Sequence, residues 1–94
     1  MFEWDRAKAA ANLLKHEVSF EEAATVFADP RGLEGPDLRH SVGETRFLRI
    51  GELVAGRVLI VAYTVRRRDN EEVIRIISSR QASKKERTFY RQSP

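Results

Sequence analysis

Apolar side chains recur at helical spacing in two stretches of the first third of the chain. Between Asp5 and His16, alanines and leucines fall three and four residues apart, and Asp5 can serve as the N-cap of the helix that this spacing predicts. Ser19 and Glu22 have the Ser-x-x-Glu spacing of a capping box, in which each side chain accepts the other residue's backbone N–H. We therefore predict a second helix that runs to residue 27 or 28.

Further along the chain, apolar positions alternate with polar ones or form short runs, as they do in β-strands. Segments 44–50, 57–65 and 73–80 fit this pattern, and residues 51–56 and 66–70 between them fit turns. Strands joined by such short turns pair antiparallel, because parallel pairing requires a long crossover.

A second capping box, formed by Ser83 and Glu86, predicts a C-terminal helix. The expected fold is therefore α+β, with two N-terminal helices, a three- to four-stranded antiparallel sheet and a C-terminal helix. A chain of 94 residues is long enough for one domain and too short for two ordinary ones, so we expect a single domain over residues 1–94.

The last predicted strand leads directly into the C-terminal helix, and its polar side chains lie near that junction. Strict alternation along the strand predicts Arg75 on one face and both Ser78 and Arg80 on the other. Arg80 comes just before the helix start, where its guanidinium and the free backbone N–H groups could hold one phosphate together. A salt bridge from Arg80 to Glu44 or Glu86 is the structural alternative.

Charge is distributed unevenly along the chain. Residues 1–65 hold eight Lys and Arg against ten Asp and Glu, whereas residues 66–94 hold nine against four. A basic C-terminal third indicates a polyanionic partner, either nucleic acid or an acidic protein segment. A solvated basic helix without a ligand is the alternative.

The composition also bears on the location of the protein in the cell. The longest apolar run is far shorter than the roughly 20 residues that span a bilayer, and the first residues lack the pattern of a signal peptide. The chain has no cysteine, which excludes disulfides and thiolate metal sites. We expect a cytoplasmic protein without a membrane partner.

Glycine and proline are concentrated between residues 30 and 43, which predicts an irregular loop that also carries His40. Such a histidine is usually just a solvent-exposed polar group, but the ordinary pKa of an imidazole suits proton transfer at neutral pH. His16 and His40 lack the spacing of metal ligands, so we predict neither a metal site nor a cofactor.

RNA cleavage requires little from a protein, because the RNA supplies its own nucleophile, the 2′-hydroxyl group. The protein must help to remove that proton, protonate the leaving 5′-oxygen and stabilise the charge on the phosphate. Arginines suit the last task. His40, Glu44, Glu86 or Tyr90 could transfer protons, although Glu86 also completes a cap and Tyr90 could simply dock the last helix on the sheet.

A series of short sequence pieces, in a fixed order, is more specific than any one of them. The most telling are Phe2-Glu3-Trp4-Asp5, Lys15-His16 and Ile74-Arg75-Ile76-Ile77-Ser78. The others include Lys8, Asn12, Val18-Ser19-Phe20-Glu21-Glu22-Ala23, Asp29-Pro30, His40-Ser41, Gly43-Glu44, Arg46, Gly56-Arg57, Glu86-Arg87 and Tyr90. Through these pieces the chain resembles the BrnT family, the toxins of a bacterial type II toxin–antitoxin pair.

This resemblance implies a RelE-like ribonuclease that cuts RNA without a metal ion and slows growth by blocking translation. It also implies neutralisation by a BrnA-like antitoxin with a ribbon-helix-helix DNA-binding domain, in a 2:2 hetero-oligomer that represses its own operon. The family's basic and polar positions correspond to Arg46, Arg75, Ser78, Arg80, Lys84, Arg87 and Tyr90. The chain departs from the family pattern at Glu17, where Gly is common, and at Ser79, where Ala is common.

Our first hypothesis is an endoribonuclease toxin. Arg75 and Arg80 would stabilise the scissile phosphate, and His40 or Tyr90 would assist proton transfer. The remaining residues, Arg46, Ser78, Lys84 and Arg87, would bind the RNA. The alternatives are a non-catalytic basic module that binds nucleic acid or a partner protein, and an inactive family member retained for its antitoxin.

Overall fold

The computed structural model describes residues 1–93, so Pro94, which ends the predicted 1–94 domain, lies outside the described residues. The helices are α1 (Arg6–His16), α2 (Phe20–Thr25), which continues as a 3-10 turn (Val26–Ala28), and α3 (Lys84–Gln92). The strands are β1 (Phe2–Glu3), β2 (Leu33–Pro36), β3 (Phe47–Glu52), β4 (Val58–Arg68) and β5 (Glu71–Gln81).

The three helices begin at the caps that the sequence predicts. Asp5 accepts a hydrogen bond from the backbone N–H of Lys8, and both Ser-x-x-Glu pairs form complete capping boxes. Helix α1 ends at Glu17, whose backbone adopts a left-handed conformation with φ 57°. This conformation favours glycine over residues with a side chain, so it is costly for Glu17.

The five strands form one mixed sheet in the order β1-β5-β4-β3-β2. Strands β2 to β5 pair antiparallel, whereas β1 pairs parallel with β5. The prediction of a purely antiparallel sheet with three or four strands was therefore wrong in the count and in one pairing. Strand β1 is too short to show a period, and β2 contains Gly35 and Pro36, which are depleted in strands.

The hairpin between β4 and β5 is tighter than the predicted turn over residues 66–70. Only Asp69 and Asn70 form the turn, and both have positive φ, at 52° and 67°. Two-residue hairpin turns favour such angles, because their twist matches that of the flanking strands. The three arginines at 66–68 therefore belong to β4 rather than to the turn.

A β-bulge lies in the middle of the β4–β5 pairing. Ala62 pairs with Ser78 but its neighbour Tyr63 pairs with Ile76, so Ile77 is an extra residue in β5. Residues directly opposite each other in a sheet share a face, and the extra residue reverses the alternation beyond it. Arg75, Ser78 and Arg80 therefore share one face of the sheet. The predicted separation of Arg75 from the other two residues was wrong, because alternation holds only for a strand without a bulge.

Helices α1 and α2 cover the opposite face of the sheet, which we call the core face. Phe20, Leu59, Val61 and Ile76 are at the centre of this core and are almost fully buried. Asn12 fixes α1 to the outer edge of β5. Its amide donates to the carbonyl oxygens of Ser79 (2.8 Å) and Val18 (3.0 Å) and accepts from the Ser79 N–H (3.0 Å).

Helix α3 packs on the face that carries Arg75, Ser78 and Arg80, but it covers only one end of it. Tyr90 of α3 contacts Ile50, Val58 and Ala82 in a second, smaller core. We call the remaining, uncovered part of this face the open face. Within residues 1–93, no helix is long and apolar enough to cross a membrane.

Candidate active site

The open face is built from rows of side chains that run across three strands. Leu48, Ala62 and Ser78 form one row, because Ala62 pairs with both of the others. Ile60 and Arg80 belong to the next row. The bulge at Ile77 keeps Arg75 on the same face as Ser78 and Arg80, so all three side chains lie on the open face.

The loop between β2 and β3 places His40 at the border of the open face. The Nδ1 atom of His40 lies 3.0 Å from Oδ2 of Asp37. Asp37 is itself held in place, because its backbone N–H donates to the Arg46 carbonyl oxygen (2.7 Å) and its carbonyl accepts from the Ser41 hydroxyl (2.6 Å). A buried carboxylate thus orients an imidazole whose side chain is 61% exposed, which leaves Nε2 available to a ligand.

Two hollows adjoin this loop, and Arg39, His40 and Arg46 line both of them. The first, of about 370 Å³, has an apolar floor, and we call it the apolar-floored hollow. Its other lining residues are His16, Asp37, Leu48, Ile60, Ala62, Ser78, Ser79 and Arg80. The second, of about 500 Å³, is the arginine hollow, whose other lining residues are Lys8, Val42, Glu44, Thr64, Arg66, Arg75 and Ile77.

Arg46 lies in the wall between the two hollows. Its Nε is buried and has no hydrogen-bond partner within residues 1–93. Its guanidinium forms no ion pair there either, in contrast to those of the neighbouring arginines on β4 and β5. Because Arg46 is only partly buried and its guanidinium is unpaired within residues 1–93, an anion bound between the hollows could accept charge-assisted hydrogen bonds from it.

Arg75 and Arg66 of the arginine hollow are held by carboxylates. Arg75 donates to Glu3 of β1 at 2.8 Å, and Arg68 donates to the same carboxylate. The hydrogen bond from Arg75 lowers the pKa of Glu3 the most, and that from Arg68 lowers it further. Arg66 forms a bidentate pair with Glu44, with both distances at 3.2 Å. The arginines are therefore oriented before any ligand arrives.

Arg80 forms a bidentate ion pair with Glu86, with distances of 2.8 and 2.9 Å. This is one of the two salt bridges that the sequence raised as the structural alternative for Arg80. The hydrogen bond from Arg80 is the main cause that lowers the pKa of Glu86 to about 2. A guanidinium has five N–H groups, so Arg80 keeps donors for a ligand while it remains paired with Glu86.

The remaining predicted residues lie outside the two hollows. Tyr90 is buried and donates its hydroxyl to Asp29, and burial followed by this carboxylate raises the pKa of Tyr90 to about 12. This geometry matches the structural alternative, in which Tyr90 docks α3 on the sheet. Arg87 donates to the Ala82 carbonyl oxygen at 2.8 Å, and Lys84 is exposed at the first turn of α3.

Sequence reasoning missed Asp37 and Arg39 as members of the site. Asp37 and His40 are three residues apart in one loop, so the Asp-x-x-His spacing was a usable signal. The contact of Glu3 with Arg75 could not be predicted from the sequence, because 72 positions separate the two residues. Within the described residues, His, Asp and Glu side chains form no group of three or more that could hold a metal ion.

The fold and the site together define a class of protein: a small α+β protein with an exposed cationic cleft that contains an oriented histidine. Comparison with known families goes further. The sequence model for the ribonuclease toxin BrnT of type II toxin–antitoxin systems matches residues 4–86. The chain therefore belongs to the BrnT family, and the resemblance found in the sequence is confirmed.

A solved structure supports the fold. The chain is similar to the ribonuclease toxin BrnT of Brucella abortus, which was determined by crystallography at 1.1 Å, with a TM-score of 0.66. The similarity covers 89% of this chain and 99% of that chain, at 24% sequence identity. No curated protein matches the chain.

Proposed function

We propose that this ribonuclease toxin cuts RNA endonucleolytically, without a metal ion, at the wall between the two hollows. The chain would act as one RelE-like toxin domain over residues 1–94 and would slow growth by blocking translation. The observation that carries the proposal is the His40–Asp37 pair beside Arg46, at the border of a face that also holds Arg75, Ser78 and Arg80.

The oriented imidazole carries the proton chemistry in this proposal. With Nδ1 bound to Asp37, Nε2 of His40 can accept the proton of the RNA 2′-hydroxyl or return a proton to the leaving 5′-oxygen. Asp37 acts as a positioning residue, because it holds the ring and stabilises the imidazolium that forms. Tyr90 has no part in this step, since its buried hydroxyl is bonded to Asp29.

Arginines stabilise the phosphate in this scheme. Arg46 lines both hollows together with the imidazole and is the only one of the four open-face arginines, 46, 66, 75 and 80, without an ion pair in residues 1–93. Arg75 and Arg80 flank it and add donors as the phosphate gains charge. Ser78 would contact the RNA between them, and Lys84 and Arg87 would extend the positive field along α3.

A non-catalytic binding module is the second candidate. The observation that favours it is the pairing of Arg66, Arg75 and Arg80 with glutamates, which leaves less positive charge to stabilise the additional negative charge that a phosphate gains during cleavage. A binder would show a salt-sensitive affinity for RNA without cleavage.

We also propose a cytoplasmic complex with an antitoxin. Membership of a toxin–antitoxin family implies an antitoxin partner. On the basis of the family resemblance, we further propose a BrnA-like antitoxin with a ribbon-helix-helix domain, a 2:2 assembly and repression of the operon. Purification of the co-expressed pair, with its mass determined by light scattering, tests the stoichiometry.

The catalytic proposal is tested with purified protein and a labelled RNA in the presence of EDTA. We expect cleavage by the wild type, a loss of about 100-fold or more in His40→Ala and a smaller loss in Asp37→Asn. Leu38→Ala, in the same loop and 82% exposed, is the matched control. Cleavage that EDTA abolishes would contradict metal independence, and full activity of His40→Ala would contradict the role of the imidazole.

A further inference from the structure

The residues that line the apolar-floored hollow explain its shape. Its floor is formed by Leu48 and Ala62 of one row, with Ile60 beside them, and Ser78 ends this row at the rim. Ala62 is the shortest apolar side chain of this row, and it lies between two strands that each present a longer residue. Since neighbouring strands are about 5 Å apart, a single short side chain in the central strand produces a depression that is one ring wide.

The chemistry of the hollow matches a nucleobase. A base has two apolar faces and a polar edge, and single-stranded RNA is read through such contacts. The hollow offers apolar atoms of Leu48, Ile60 and Ala62 below and the Ser78 hydroxyl and the Arg80 guanidinium at the rim. Its volume of about 370 Å³ lies at the lower end of ligand pockets, which span roughly 300–1,000 Å³, so it suits one nucleoside rather than a larger ligand.

The position of the hollow relative to the proposed chemistry gives it a role. It shares the wall of Arg39, His40 and Arg46 with the arginine hollow, so a phosphate at this wall has one hollow on each side. The arginine hollow carries Lys8 and Arg66, which suit the next phosphate along the strand rather than an apolar ring face. The two hollows therefore differ in the part of a nucleotide that they can accept.

We propose that the apolar-floored hollow is a base-binding subsite that selects the nucleotide on one side of the cleaved bond. This inference rests on the proposed function for the placement of the scissile phosphate. A base can enter the hollow only when it is unstacked from its neighbours, so the substrate class is single-stranded RNA. The depth that Ala62 leaves open determines which bases fit.

Cleavage mapping tests the subsite. Wild type, Ala62→Leu, which fills the floor, and Leu48→Ala, which widens it, would each digest a long RNA of mixed sequence whose new ends are then sequenced. Wild type should prefer certain bases on one side of the cut. Ala62→Leu should cut about 10-fold less at purines than at pyrimidines on that side, and Leu48→Ala should relax the preference. Ala10→Leu on the exposed surface of α1 is the matched control, with the wild-type pattern.

A binding measurement separates this inference from the catalytic proposal. Fluorescence anisotropy with 2′-O-methyl tetranucleotides of A or of U reports affinity without cleavage. Ala62→Leu should weaken binding of the A tetramer more than that of the U tetramer, by about 10-fold in the ratio, whereas Ala10→Leu should not change the ratio. Circular dichroism confirms that each variant is folded.

The outcomes are distinct. If wild type binds RNA without cutting it and the ratio still shifts in Ala62→Leu, the hollow stands as a base-binding site and the catalytic proposal fails. If wild type cuts RNA with no base preference, or if Ala62→Leu changes neither the cleavage pattern nor the affinity ratio, the subsite is overturned. Equal cleavage of the RNA when it is annealed to its complement would also overturn it.

Discussion

The same strands form a buried face and an exposed face of the sheet, and the two faces differ in their role. On the core face, Leu59, Val61 and Ile76 lie under α1 and α2 and are almost fully removed from water. On the open face, Arg75 and Arg80 remain accessible and form ion pairs with glutamates. In β5, the alternation of side chains separates the two roles, and the extra residue Ile77 keeps Arg75 on the same face as Arg80. A change to either face should therefore affect stability and RNA cleavage very differently.

The largest expected effect is on the stability of the core face. Leu59→Ala should lower the free energy of unfolding by about 3–4 kcal/mol, because it removes a fully buried side chain and leaves a cavity. Leu48→Ala makes the same chemical change on the open face, where the side chain is 38% exposed, and should cost less than half as much. Urea denaturation measures both. Equal losses would show that the open face is also a packed core.

Deletion of Ile77 should reduce cleavage while the fold survives. Without this residue, Ile76 and Ser78 become neighbours, and regular alternation keeps each of the remaining side chains on its present face. The deletion removes the local bend and extra twist of the bulge and so changes the direction of Arg75 relative to Ser78 and Arg80, which should lower RNA cleavage by about 100-fold. Ile77→Val keeps the bulge and is the control. Wild-type cleavage by the deletion variant would show that the bend is irrelevant.

Tyr90→Phe should affect stability and leave the chemistry intact. The hydroxyl that bonds Asp29 is lost, which should lower the free energy of unfolding by about 1–2 kcal/mol. Because the pKa of Tyr90 is raised to about 12, the contribution of this hydroxyl is complete below pH 10 and disappears as the pH rises through 12. RNA cleavage at neutral pH should stay within two-fold of wild type. A large loss of cleavage in a folded variant would restore Tyr90 to the active site.

The smallest effect concerns the ion pair of Glu86 with Arg80. The folded pKa of Glu86 is lowered to about 2 from an ordinary value of 4.5, so its contribution is present above pH 4.5 and is lost as the pH falls towards 2. Because both side chains are partly exposed, solvent screening limits this contribution to about 1 kcal/mol. Wild type and Glu86→Gln should differ in unfolding free energy at pH 6 and converge near pH 2. A difference that persists at pH 2 would contradict this assignment.

Local sequence signals predicted the elements whose determinants are close together in the chain. The capping boxes at Ser19 and Ser83 involve residues three positions apart, and both form as predicted. The pairing of Arg80 with Glu86 spans six positions and was among the alternatives that the sequence offered. In each case, the partners come within reach as soon as one helix turn forms.

The features that were missed depend on distant partners. Strands β1 and β5 pair through residues that are more than 70 positions apart in the chain, and the same separation applies to the contact between Glu3 and Arg75. The bulge at Ile77 arises from the pairing of β5 with β4 and leaves no mark in the periodicity of β5 itself. For this reason the relative positions of Arg75 and Arg80 could not be predicted, although both arginines were recognised as candidate phosphate ligands.

The hydrogen bonds between Asn12 and β5 affect how the chain can fold while it is being synthesised. An unpaired strand edge can pair with another molecule. Within residues 1–93, the outer edge of β5 is covered by β1 and, at Ser79, by the Asn12 amide. Both covers lie in the first 12 residues, which leave the ribosome before β5 is synthesised. During translation, therefore, the residues that cover the edge of β5 are already available when β5 emerges. A circular permutant that begins after α1 would expose that edge and should aggregate during synthesis.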